Sequence, residues 1–344
     1  MKPIIALISL FPLLCSMTRA TPLLPDSGET PRMKEWRDLK YGMFLHFGMS
    51  TFTGNEHDPG KAPSSTYAPP SVDADQWMRV ASEAGMKYAV LTAKHVAGHC
   101  LWDSKVIFRG KEYDYDVATS GNKTDVVGVF VDACRKHGVK PGLYYCLLDY
   151  RNNTVAQKEQ WLKFQLPEDF FQLAKDQLTE LVTNYPAVGI YWLDIPRAAS
   201  EQQRTALYDL LRRKNPGAVV LFNQGWRKDR EDPLTIESTQ GHTWPSDVLN
   251  TEREVFFPPF SPKQSWRGET YFLGYEHCDT LGKDWFWTAD DTPRKTDDLA
   301  ELYQSTRGAG GNLLLNVGPD RNGKLTDWQI EALTKLKEKI SSTP

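Results

Sequence analysis

The chain has 344 residues, 40% hydrophobic and 25% charged, with 41 Lys and Arg against 44 Asp and Glu for a net charge of −3. That balance excludes a disordered chain, and the scatter of its basic residues leaves no footing for a nucleic-acid partner. Beyond the first residues, no apolar run approaches the roughly 20 residues of a membrane-spanning helix, so a globular protein with no membrane span is expected.

Residues 1–20, MKPIIALISLFPLLCSMTRA, combine a basic Lys2, an apolar run from Ile4 to Leu14 and a small residue at Ala20. That is the pattern of a secretory signal peptide, predicting a periplasmic or extracellular protein, lysosomal in a eukaryote. Lipid anchoring at Cys15 is disfavoured, because Pro12-Leu13-Leu14 lacks the small residue usual before a lipid-bearing cysteine. Residues 21–32 read as a linker, and 33–344 as one domain.

Strand-length apolar runs then alternate with helix-length amphipathic ones. GMFLHFG (42–48) is the first strand. A helix follows over 73–85, with Trp77, Val80, Ala81 and Ala84 on one face, and then the strand KYAVLTAKH. TDVVGVFVDACRKHG opens on capping residues and closes on Gly138, as helices do, and VKPGLYYCLLD is the third strand. A helix over 168–184 leads to VGIYWLD, and one over 201–214 to GAVVLFNQ. LTIES and ETYFLGYEH supply shorter strands, GGNLLLNVGP follows the helix DDLAELYQSTRG, and DWQIEALTKLKEKI closes the chain. Eight strands interleaved with helices predict an α/β fold, a (β/α)8 TIM-like barrel with long loop insertions. A doubly wound sheet is the alternative. The barrel is favoured because His46, His95, Asp149, Asp194, Asn223, Glu237, Glu276 and Asn316 all fall at the ends of apolar runs, which a barrel brings to one face.

Several chemistries drop out. His95 and His99 follow a strand, so helical ligand spacing does not apply and no metal site is expected. There is no G-x-S-x-G elbow, and GAGGN (308–312) lacks nucleotide-loop spacing, so no cofactor is expected. Cysteines 100, 134, 146 and 278 form no C-x-x-C motif and read as buried thiols, with a disulfide left open. What the chain has in quantity is carboxylates among aromatics, including 11 Trp and 14 Tyr. Aromatic faces stack on sugar rings, and paired carboxylates suggest glycoside hydrolysis.

The blocks YGMFLHFGMSTFTG, YAVLTAKHVAGHCLWDSK, DVVGVFVDACRKHGVKPGLYY, VGIYWLD and GGNLLLNVGPDRNGKL resemble, in order, those of the α-L-fucosidases of glycoside hydrolase family 29. The resemblance implies a retaining exo-hydrolase that removes terminal α-L-fucose from oligosaccharides or glycoconjugates. Asp194 holds the place of the nucleophile. The acid/base lies on a variable loop in the family: Glu252 fits best, Glu276 and Glu254 are alternatives, and Glu237 remains open. His46, Glu56 and His95 would bind sugar hydroxyls, with Tyr144 or Tyr145, Trp192 and Trp287 as walls. The chain departs from the family pattern at Ile195-Pro196, where glycine commonly follows the nucleophile. It departs again at Val96-Ala97, in place of His-Asp, and at Gln224-Gly225-Trp226, where an arginine is expected. These departures bear on sugar specificity, leaving a relative acting on another L-sugar such as an α-L-galactoside, or a catalytically impaired carbohydrate-binding barrel, as alternatives. The β-sandwich that many relatives carry after the barrel is not expected.

Overall fold

Runs such as Tyr41–Leu45 (YGMFL) and Asn312–Asn316 (NLLLN) are buried at every position, as parallel strands covered on both faces must be. A computed structural model describes residues 21–152, 166–223, 233–253 and 260–342. The predicted leader, Gln224-Gly225-Trp226 and the candidate Glu254 lie outside them. Eight strands form a closed, all-parallel barrel: β1 (Tyr41–Leu45), β2 (Tyr88–Lys94), β3 (Lys140–Cys146), β4 (Ile190–Asp194), β5 (Val219–Phe222), β6 (Val248–Glu252), β7 (Gly274–Thr280) and β8 (Asn312–Asn316). Closure comes from β8 pairing with β1, from Tyr41↔Leu313 to Phe44↔Asn316.

Outer helices cover this barrel, and their ends follow local chemistry. Asp73 and Asp125 accept the amide protons of Gln76 and Gly128, capping Ala74–Glu83 and Val126–His137, and Gly138 ends the latter in the left-handed region at φ 67°. Ser200 and Gln203 form a reciprocal capping box at the head of Glu201–Lys214. Glu168–Asn184, Thr296–Gly308 and Asp327–Ser342 complete the layer. The helix Pro31–Leu39 closes the barrel from below: its Trp36 carbonyl accepts from Asn312, and its ring fills the space where a side chain on Gly274 would stand. Arg32 binds Asp247, at the foot of β6, through both terminal nitrogens at 2.8 Å.

One predicted strand is misplaced. Residues 234–238 form a bridge at Leu234 and then a turn, packing Leu234 and Ile236 into a satellite cluster with Trp244, Leu249, Leu273 and Tyr275. The sixth strand is Val248–Glu252 instead. Its sequence, VLNTE, hides the strand because a barrel interior near its mouth takes polar side chains where a sheet core would take apolar ones. ETYFLGYEH divides: Glu269–Phe272 pairs antiparallel with Lys263–Trp266 in a hairpin outside the barrel, and Gly274–Thr280 is β7. Among the described residues the four cysteines are free and buried, and no helix is long and apolar enough to cross a membrane.

Candidate active site

Side chains alternate along a strand, so the parity of each strand decides what reaches the barrel interior. On β4, Trp192 and Asp194 share the inward face; on β3, Tyr144 is inward and Tyr145 outward. The Tyr144 hydroxyl donates to Asp194 Oδ2 at 2.5 Å. Asn223, directly after β5, donates from Nδ2 to Asp194 Oδ1 at 2.8 Å and to Glu252 Oε2, at the end of β6, at 3.0 Å. Two oxygens sharing one nitrogen at 2.8 and 3.0 Å lie within about 6 Å of each other, the reach of a retaining carboxylate pair (~5–5.5 Å) and short of an inverting one.

The electrostatics of the pair are asymmetric. Burial pushes both acids up, but Asp194 has three donors opposing that rise: the Tyr144 hydroxyl, the Asn223 amide and the backbone N–H of Ile195. Glu252 is raised to about 7, by burial first and then by the negative charge of Asp194, with the Asn223 amide and Arg253 opposing. Both acids stay raised, but the three donors restrain the rise at Asp194 while its charge adds to that of Glu252, so Glu252 is the member of the pair placed to carry a proton near neutral pH, the division of labour that acid–base chemistry requires.

Two histidines stand beside them. His46 Nδ1 meets Asn316 Oδ1 at 2.7 Å, and Asn316 Nδ2 donates to the Trp285 carbonyl at 2.7 Å, which fixes the amide so that its oxygen faces the ring. The His46 proton therefore sits on Nδ1, leaving Nε2 as an acceptor. Burial holds His46 down to about 3 and His95 well below the usual histidine range, so both rings are neutral. His95 Nδ1 is buried without a partner, a polar atom that a ligand hydroxyl would satisfy. The His95, Tyr144 and Trp192 rings stack in sequence, at 5.5 Å and 22° and then 5.4 Å and 20°. Trp285 lies 4.9 Å from His46, and Phe286 5.0 Å from His95.

Other expected residues fall in varied places. Glu56 lies 3.8 Å from His57, near enough to the site for its charge to raise Glu252. Trp287 is half-buried, with the Arg321 guanidinium 6.0 Å from its ring. Tyr145 is not part of the cluster: its hydroxyl donates to Gln177 on Glu168–Asn184 at 2.7 Å, and Lys94 donates to it at 3.3 Å, between barrel and helix. Lys94 is also paired with Asp149 at 3.1 Å, both buried, so Asp149 is spent outside the barrel interior. Glu276, an alternative acid/base at sequence level, lies too deep. It is level with Asn250 and Asn312, whereas Glu252 is level with Cys278, so Glu276 sits two residues, or about 6–7 Å, further down. There it accepts from Tyr88 at 2.7 Å and Trp192 at 2.9 Å, and burial raises it to about 7. Glu237 is exposed on the turn after Leu234.

Asn223, Asn250, His57, Trp285 and Phe286 join the site only through the fold. Asn223 was visible as a polar residue ending an apolar run, but its link to both acids depends on β5 and β6 being neighbours. Ile195 lies in the left-handed region at φ 53° and ψ 52°, which a β-branched side chain rarely tolerates, and this is the position where the resemblance has glycine. Among the described residues no group of three or more His, Cys, Asp or Glu could hold a metal.

Comparison with known proteins bears on the same features. The family model described as alpha-L-fucosidase matches residues 61–338. Alpha-L-fucosidase 1 of Arabidopsis thaliana is 28% identical over 335 residues, covering 93% of this chain and 61% of that protein. Human tissue alpha-L-fucosidase is 26% identical, covering 94% of this chain and 70% of its own. The chain spans 61% and 57% of the lengths of the Arabidopsis and rice relatives it matches. Among solved structures, a Bacteroides thetaiotaomicron alpha-L-fucosidase trapped as a covalent intermediate superposes with a TM-score of 0.71 at 21% identity, covering 94% of this chain and 77% of that one. Alpha-L-fucosidase isoenzyme 1 of Paenibacillus thiaminolyticus gives 0.71 at 22%, covering 91% and 76%. These two likenesses are of fold.

Proposed function

Because the chain belongs to the alpha-L-fucosidase family, we propose that it is an exo-acting, retaining α-L-fucosidase that releases terminal α-L-fucose from oligosaccharides or glycoconjugates, with Asp194 as nucleophile and Glu252 as acid/base. The observation that carries this reading is the single Asn223 amide donating to both carboxylates, which keeps two of their oxygens within about 6 Å of each other, a separation that suits a retaining pair. In the first half-reaction Asp194 attacks the anomeric carbon, the bond to the leaving oxygen breaks, and Glu252 gives that oxygen its proton. In the second, Glu252 takes a proton from water, whose oxygen attacks the same carbon as the bond to Asp194 breaks, so configuration is retained. The neutral rings of His46 and His95 suit sugar hydroxyls, since each can pair without a charge that would favour an anion. The stacked Tyr144 and Trp192 rings put aromatic surface beside Asp194, suited to the C–H face of a sugar. Export through the leader at residues 1–20 is part of the proposal and rests on Lys2, the apolar run that follows it, and Ala20.

A panel of aryl glycosides of L-fucose, L-galactose and their D-configured counterparts tests the assignment. Release of aryl alcohol from the α-L-fucoside, with α-L-fucose as the first-formed anomer by proton NMR, is the expected result. A β first product, or turnover confined to other sugars, would overturn it.

A further inference from the structure

Behind Asn223 stands a second amide. Asn250, on β6 two residues before Glu252 and wholly buried, donates from Nδ2 to Asn223 Oδ1 at 2.5 Å. Resting on the fucosidase reading above, we propose that Asn250 is a positioning residue, which keeps the Asn223 amide turned so that its N–H groups face Asp194 and Glu252 through both half-reactions. The bookkeeping of charge shows why the orientation matters. As Asp194 bonds to the anomeric carbon it loses its negative charge, and Glu252, giving its proton to the leaving oxygen, acquires one. When water is deprotonated by Glu252 and displaces Asp194, the charge returns. One negative charge shuttles between two oxygens that share the Asn223 nitrogen, so the amide stabilises whichever carboxylate is anionic. Turned over, the same amide would set its carbonyl oxygen against both acids. Asn250 forbids that by supplying a donor that only an oxygen can meet. The titratable groups around this relay include Asp194, Glu252 and Tyr144, Glu276 and Cys278 on β7 level with Asn250 and Glu252, and, further out, His57, Arg253 and Glu56.

The test reads Glu252 directly. In the full-length protein labelled with carbon-13 at glutamate carboxyls, and with the resonance assigned by its loss in Glu252→Gln, Asn250→Leu should raise the ionisation pH of Glu252 by about one unit, because a hydrogen bond to the charged form is lost. On a nitrophenyl α-L-fucoside kcat should fall about tenfold, with KM within about threefold and the alkaline limb displaced upward by the same unit. Asn250→Asp, of matching shape, is the second variant, should the leucine variant not fold. Once ionised it accepts from the Asn223 NH2 and turns the amide over, so its activity should collapse as pH rises and recover toward the parent value in acid. An unmoved Glu252 titration in a folded Asn250→Leu protein, or an Asn250→Asp profile matching the parent, would overturn the proposal. Absence of turnover by the parent protein on any fucoside would instead fail the fucosidase reading, while the carboxyl titration still decides the role of Asn250.

Discussion

Replacing Glu252 by Gln removes the proton donor while keeping the side chain's shape and one acceptor for the Asn223 amide. With its ionisation raised to about 7, Glu252 is ~90% protonated at pH 6, against ~3% for a glutamate at 4.5, so burial and the Asp194 charge increase the working acid about thirtyfold. A positioned general acid contributes about 10²–10⁴ in rate, or roughly 3–5 kcal/mol of barrier, but only where the leaving oxygen needs a proton. The assay is kcat/KM across pH for phenyl and dinitrophenyl α-L-fucosides. Glu252→Gln should lose at least about 100-fold on the phenyl substrate and less than about tenfold on the dinitrophenyl one. The alkaline limb near pH 7 in the parent profile should vanish. Equal losses on both substrates, or a limb that persists in the variant, would refute the assignment and move the acid elsewhere.

Three other outcomes are expected. Asp194→Ala should lose more than about 10⁴ in turnover; azide should restore aryl release and yield the inverted fucosyl azide, whereas a retained product would point to another nucleophile. Glu276 is held near 7 against 4.5, so the folded state binds its proton more tightly than the unfolded chain does. The contribution is fully present below about pH 4.5 and lost as pH rises through 7, a swing of roughly 3 kcal/mol. Urea unfolding should therefore show the parent losing stability over that window and Glu276→Gln losing distinctly less; parallel curves would show that Glu276 does not titrate as described. Ile195→Gly should cost under about 1 kcal/mol, since relief of about 1–2 kcal/mol of left-handed strain offsets lost packing and added unfolded-state entropy; a loss above about 3 kcal/mol by the same method would mean the isoleucine side chain is indispensable to the nucleophile turn.

Most of the barrel was legible because its strands are covered on both faces and read as continuous apolar runs: YAVLTAK, IYWLD and NLLLN announce themselves. The sixth strand did not, for a reason that belongs to the site. VLNTE spends its inward positions on Asn250 and Glu252, so its hydrophobic signal is diluted at the point where the chemistry is concentrated. The apolar LTIES nearby imitates a strand while serving a satellite cluster. Asp194 could be found from one strand alone, as a charge ending a buried run. Parity was harder, since Tyr144 and Tyr145 are equivalent until the register of β3 assigns one to the interior and the other to the helix layer. The bridge through Asn223 needs three strands in known order, information that single-strand patterns do not hold.

The short helix beneath the barrel carries its own consequence. Trp36 closes the underside of the chamber by accepting from Asn312, which is level with Glu276, and Arg32 ties that helix to Asp26 and to the foot of β6. A tag or fusion partner joined ahead of Asp26 leaves the stopper seated. Cutting the chain back beyond Arg32 unseats it and lets solvent reach a carboxylate that the fold keeps dry, so an engineer shortening this protein should stop before that arginine.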